Sequence, residues 1–226
     1  EKEDAAAVAS LRANLSGAQF EVVDQVALQQ FRAGISRTYE EAFGTSSSAA
    51  RSLVEFGDLS ERTLIVASTA GTNIARVWEE DTNEVFRAAA QLVRNDLAGS
   101  FEEALGLIAR GFEEDLNRSN DFLDTIKEYS PIFESLGLSG SEALALINAG
   151  LDAGAFNADV LADVVKETSV RVVEDSDQMN EALNRVGLDG SIGERVAAGD
   201  EEAKTALFEI FTAISAIEDP QQRINA

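Results

Sequence analysis

The sequence contains no cysteine and no histidine, and only two prolines, one tryptophan and one methionine in 226 residues. Without cysteine there are no disulfides, thiolate nucleophiles, zinc fingers or iron–sulfur clusters. Without histidine there is no Ser–His–Asp triad and no imidazole ligand for a metal or haem. Basic residues are also scarce. Eighteen Lys and Arg face 41 Asp and Glu, a net charge of −23, which disfavours nucleic acid, whose binding rests on cations neutralising phosphates. An anionic membrane surface would repel the chain as well. No run of 18 apolar residues is present, so no segment reads as a bilayer span. The chemistry left over belongs to carboxylates, hydroxyls and a few lysines.

What is present reads as helix. There are 35 alanines, and 45% of residues are apolar, enough for a packed core. Four stretches carry a 3.6-residue apolar period: 19–33, 82–95, 101–116 and 201–217. In the third, Phe101, Leu105, Ile108, Phe112 and Leu116 share one face, with Glu102, Glu103, Arg110, Glu113 and Glu114 on the other. Ser100 with Glu103 reads as a capping box, and Ser139 with Glu142 and Asn157 mark further starts. Gly44, Gly57, Gly71, Gly137, Gly150, Gly154 and Gly187 are read as left-handed stops. Pro131 predicts a break between a helix ending near Glu128 and a short one through Leu136. Val170–Val173 fits a strand or the end of a helix beginning near Val160. The pattern therefore predicts an all-α fold: a multi-helix bundle of ten to twelve short helices arranged as hairpins, with no sheet. Expected core positions include Phe112, Leu116, Phe122, Leu123, Phe133, Phe156, Leu161 and Phe211.

Two internal repeats are visible. Phe43-Gly44 with its serines recurs as Phe56-Gly57, and Leu136-Gly137-Leu138-Ser139-Gly140-Ser141 recurs as Val186-Gly187-Leu188-Asp189-Gly190-Ser191. In the second, Ala149-Gly150 is matched by Ala198-Gly199. The charge is uneven: residues 1–100 carry 9 basic and 15 acidic residues, and residues 101–226 carry 9 and 26. Solubility accounts for this, because the acids alternate with apolar residues instead of forming a tail. The opening Glu1-Lys2-Glu3-Asp4 is no signal peptide, and the closing Gln221–Ala226 reads as a helix in progress. Both ends are expected to be cut from a longer chain.

No candidate for catalysis survives inspection. Glu79-Glu80-Asp81, Glu113-Glu114-Asp115, Glu174-Asp175 and Asp200-Glu201-Glu202 fall on polar faces or in turns, whereas glycoside hydrolysis needs facing carboxyls, one of them in an apolar setting. Asp175-Ser176-Asp177 lacks the glycine and closing glutamate of a calcium loop. Ser130 and Ser46-Ser47-Ser48 have no base, and Lys127 and Lys166 neighbour Glu128 and Glu167 as ordinary helix surface. Gly187–Gly193 has glycines but neither a preceding strand nor a lysine, so it is no phosphate loop. The expectation is no catalytic residue, no bound cofactor and no metal.

Over residues 83–226 an ordered series of short motifs stands out. It comprises Glu84–Ala89, Ser100–Ala104, Asp121–Pro131, Leu136–Ser139, Gly154–Asp159, Asp163–Glu167, Gly187–Asp189, Ala198-Gly199 and Ile217–Pro220 with Arg223. In content, order and spacing the series resembles the globular helical region of phage tail tape measure proteins; residues 1–82 resemble it more loosely. The resemblance implies a large virion protein, present in several copies in the tail, that sets tube length and leaves ahead of DNA. It implies as partners the tube, tail-tip or baseplate proteins, assembly chaperones and further copies of the chain. It also implies residence in the virion tail, and in the host bacterial cytoplasm during assembly. The family supplies no catalytic residues for these positions. Two other readings compete: a helical adaptor or repeat scaffold that binds a partner helix in a groove and has no viral role, and a carboxylate-only enzyme such as a lytic glycosidase.

A ruler built as one helix would advance about 1.5 Å per residue, roughly 340 Å for the whole chain. This sequence is broken every few turns by Gly, Pro and caps, so it is expected to be a folded module and not the rod.

Overall fold

The computed structural model describes residues 15–174 and 177–216. Among them are eleven helices and no strand. In chain order these are α1 (Gly17–Arg32), α2 (Tyr39–Glu55), α3 (Glu61–Trp78), α4 (Thr82–Arg94), α5 (Phe101–Glu113), α6 (Phe122–Ser135), α7 (Gly140–Asp152), α8 (Ala158–Val173), α9 (Asp177–Arg185), α10 (Ser191–Ala198) and α11 (Asp200–Ser215). The all-α expectation holds, and the four strongest amphipathic stretches became α1, α4, α5 and α11. Val170–Val173 is the last turn of α8. The terminal segments read in the sequence, including Ile217–Pro220 and Arg223, lie outside the described residues.

The chain forms two compact units. The first runs through Arg94 and resumes over Ala98–Asp115, and so holds α1–α5. In it α1 packs on α2 and α3, while α4 and α5 pack on each other and on that group. Phe86 and Phe101 meet at 5.9 Å, and Trp78 stacks on Phe112 at 5.1 Å. A buried polar cluster joins three of its helices. The Gln30 amide of α1 donates to the Ser68 and Thr69 hydroxyls of α3, and its oxygen accepts from Ser46 of α2. The serines read as a loop repeat are therefore buried inside α2.

The second unit takes Asn95–Leu97 and everything from Leu116. Here α8 packs on α6, α7 and α10, while α11 packs on α10 and α6. Phe122, Phe133, Leu116 and Leu144 are its largest fully buried side chains, together with Ile126, Leu136 and Ile147.

Several sequence expectations need correction. Pro131 does not end a helix; α6 runs through it to Ser135. Phe122, Ile126, Tyr129 and Phe133 form one continuous buried face, and packing along that face outweighs the lost N–H of proline. The neighbouring Ser130 hydroxyl donates to the Ile126 carbonyl at 2.6 Å. Gly44, Gly71 and Gly150 lie inside α2, α3 and α7 and stop nothing. Two of them serve contact: a Cβ on Gly71 would lie 2.3 Å from the Phe86 ring, and one on Gly150 would lie 2.4 Å from Leu161. Gly57, Gly137, Gly154 and Gly187 do take positive φ.

The first repeat dissolves, since Gly44 is helical and Gly57 is a stop. The longer one is structural: Gly137 and Gly187 donate to Glu134 and Asn184, and Leu138 and Leu188 donate to Phe133 and Leu183. Its final match fails, because Gly150 is helical and Gly199 is left-handed. The Ser100 cap holds, but the Glu103 carboxylate reaches Gly99 N–H and not Ser100. In the core list, Phe156 is exposed, and Leu161 and Phe211 are only half-buried.

Both tyrosines of the sequence are buried, which gives a pH signature. Tyr39 donates to the Asp24 carboxylate and Tyr129 to Asp163. Burial first, and then Asp24, raises the Tyr39 phenol far above its usual value. Burial, then the charges of Asp159, Glu128 and Asp163, pushes Tyr129 up to about 12. An unfolded tyrosine ionises near 10, so these groups add stability that is complete below pH 10 and is lost as pH climbs through the folded values. A spectrophotometric titration of the native chain is expected to show little tyrosinate between pH 10 and 11, then a cooperative rise with unfolding. Ordinary titration of both tyrosines near pH 10 in a folded chain would contradict this.

Candidate functional site

The acidic clusters act locally, as caps and ion pairs. Asp81 caps α4, accepting from Asn83 and Glu84 N–H at 2.8 and 3.3 Å. Glu79 closes α3 in the left-handed region, at φ 59°. Glu114 pairs with Arg110 at 2.8 Å and Glu201 with Lys204 at 2.6 Å. Glu174 closes α8 at the surface, while Asp175 and Ser176 lie outside the described residues. Ser46 and Ser48 hydroxyls are spent on Gln30 and Asn83. Lys127 pairs with Asp124, and Lys166 pairs with Asp163 and lies over the Tyr129 ring. Gly187 ends α9 and Asp189 accepts from Ser191 N–H at the start of α10, so that stretch is a helix–turn–helix corner.

Electrostatics agrees. The carboxyls of Glu142, Asp189 and Glu209 are held below the ordinary range. Hydrogen bonds do this: Ser139 at Glu142, Ser191 at Asp189 and Arg195 at Glu209. A general acid for glycoside chemistry needs the opposite shift. Among the described residues no three acidic side chains converge as a metal site, and no helix is long and apolar enough to cross a membrane.

The features that stand out are apolar and exposed. In the second unit α8 buries Ala158, Ala162, Val165 and Val172. That face leaves Val160 and Val164 outward, nearly half exposed. Gly154, at φ 103°, turns the chain ahead of Asn157, the α8 cap, and Phe156 between them is 78% exposed. Val160 and Val164, four residues apart on α8, share one exposed face. Phe208, Thr212 and Ala213 of α11, with Leu188 from the turn ahead of α10, border a hollow of about 590 Å³. None of these faces was legible in the sequence, where Phe156 counted as core.

Residues 27–226 match the family described as phage-related minor tail protein. The chain belongs to that family. It is also 29% identical over 153 residues to a "Probable tape measure protein" of Streptomyces phage phiC31. The match covers 67% of this chain and 21% of that relative, so the chain spans about a fifth of the relative's length. No solved structure matches. As a minor tail protein the chain is a structural component of a phage tail, and the adaptor reading without a viral role is set aside.

Proposed function

We propose that this phage tail protein is a folded module of a tape measure protein, acting in tail assembly and DNA delivery while other parts of the parent chain set tail length. One observation carries the reading: the longest described helix has 18 residues, and the helices fold back into two compact units. A measuring rod needs axial rise, and a bundle spends its residues on burial instead. Residues 83–226 form the region closest to tape measure proteins in motif order, and residues 1–82 lead into it. Its partners are other tail proteins and further copies of the parent chain, met in the host cytoplasm during assembly. The role is structural, since the acidic clusters serve as helix caps and ion pairs; the purified chain is expected to release no fragments from peptidoglycan. In-frame deletion of residues 83–226 tests the module directly. Abolished assembly, or tails of near-parental length that fail at infection, is expected. Viable tails shortened by roughly 216 Å, the rise of 144 helical residues, would overturn the reading.

A further inference from the structure

Three helices of the second unit end at one place. The last turns of α6, α8 and α10 border a groove of about 830 Å³ whose apolar wall is Ile132, Val170, Val173 and Val196. Glycines permit the approach. A Cβ on Gly193 would meet the Val172 carbonyl at 2.7 Å, while Gly199 is required by its φ of 78° and lies at ordinary contact distance from the Ser135 carbonyl.

A helix C-terminus carries about half a negative charge; those of α6 and α8 meet here, while that of α10 passes at Gly199 straight into the N-terminus of α11, which offsets it. The cations that could offset them are absent or engaged. The last turn of α6 has no basic residue. Arg171 of α8 pairs with Glu167, and Arg195 of α10 is held by both oxygens of Glu209, at 2.7 and 2.9 Å. The charged side chains lining the groove are Glu134 and Glu174, and no Lys or Arg joins them. Val170 and Val173 remain nearly half exposed.

We infer that this groove docks a basic amphipathic helix of a partner protein, seating a Lys or Arg whose stem lies on the valines and whose head meets the Glu134 and Glu174 carboxylates. The chemistry suits such a side chain because its body is apolar and its tip cationic. Nucleic acid and anionic lipid carry the wrong sign. The inference stands on the second unit alone and does not depend on the tail role.

The test uses the full 226-residue chain and two synthetic helical peptides of Ala and Leu. One carries Lys at every fourth position, the other Glu there, and both are followed by fluorescence anisotropy at physiological salt. The Lys peptide is expected to bind and the Glu peptide not. Glu134→Gln with Glu174→Gln, and separately Ala197→Trp, which fills the groove from its rim, should each weaken binding about tenfold. Glu102→Gln with Glu113→Gln removes the same charge from the first unit and should change affinity less than twofold on the same scale. Circular dichroism checks each variant for native helicity, and the two groove variants alter the site by different means, so either one that folds decides the matter. Equal weakening by the control pair would reduce the effect to net charge. Unchanged binding to a folded groove variant would overturn the site. Concentration-dependent self-association of the free chain, lost in the groove variants, would assign the groove to a second copy and overturn the partner.

Discussion

A tandem duplication of residues 83–226 in the parent gene is expected to leave phage tails at parental length. If the 144 added residues entered the tail as one helix, they would lengthen it by roughly 216 Å at 1.5 Å per residue. The structure argues against that geometry. Between Phe122 and Ser215 the chain reverses through six helices of 8 to 16 residues, which bury their apolar residues within the second unit. Extending them would expose Phe122, Phe133, Leu144 and Ile147, each worth about 1.5–3 kcal/mol when buried. The added copy contains the whole run from Leu116 that folds as the second unit, so it adds a folded body and not a rod. Electron microscopy of tails from the duplicated phage gives the answer, and a length increase near 216 Å would mean that the segment unfolds into the ruler during assembly.

The second large effect separates aromatic residues that look alike in the sequence. Phe133→Ala is expected to cost about 3–5 kcal/mol in urea unfolding, because the ring is fully buried in the second unit. Phe112, buried and stacked on Trp78, falls in the same range. Phe211, half-buried on α11, should cost clearly less. Phe156→Ala should stay within about 0.5 kcal/mol, since the ring is 78% exposed. A loss at Phe156 comparable to that at Phe133 would show that its surroundings are misassigned.

That series also shows what the sequence could reveal. Periodicity located α1, α4, α5 and α11 because each lays its apolar residues along one stripe. The Ser139–Glu142 box and Asn157 were legible because a cap is a local hydrogen bond. What failed was non-local. Phe156 obeys no period that separates a loop ring from a core ring, and its exposure follows from the turn at Gly154. Pro131 weakened the local signal for α6, yet Ile126 and Phe133 on either side of it are gripped by the same core. Glu79, Asp96, Asp115 and Asn120 take left-handed turns without glycine, so no residue code announced them. The groove is made by residues from three stretches far apart in the chain, and no local pattern marks it.

The buried amide of Gln30 carries a consequence for register. It offers two donors and one acceptor, and it finds hydroxyls on α2 and α3 together. Sliding α1 by one turn, about 5.4 Å, would still place apolar residues against apolar residues. It would also strand that amide among methyl groups, at a cost of about 1–3 kcal/mol. Gln30 works as a keyed tooth, penalising the slipped alignments more than it strengthens the native one.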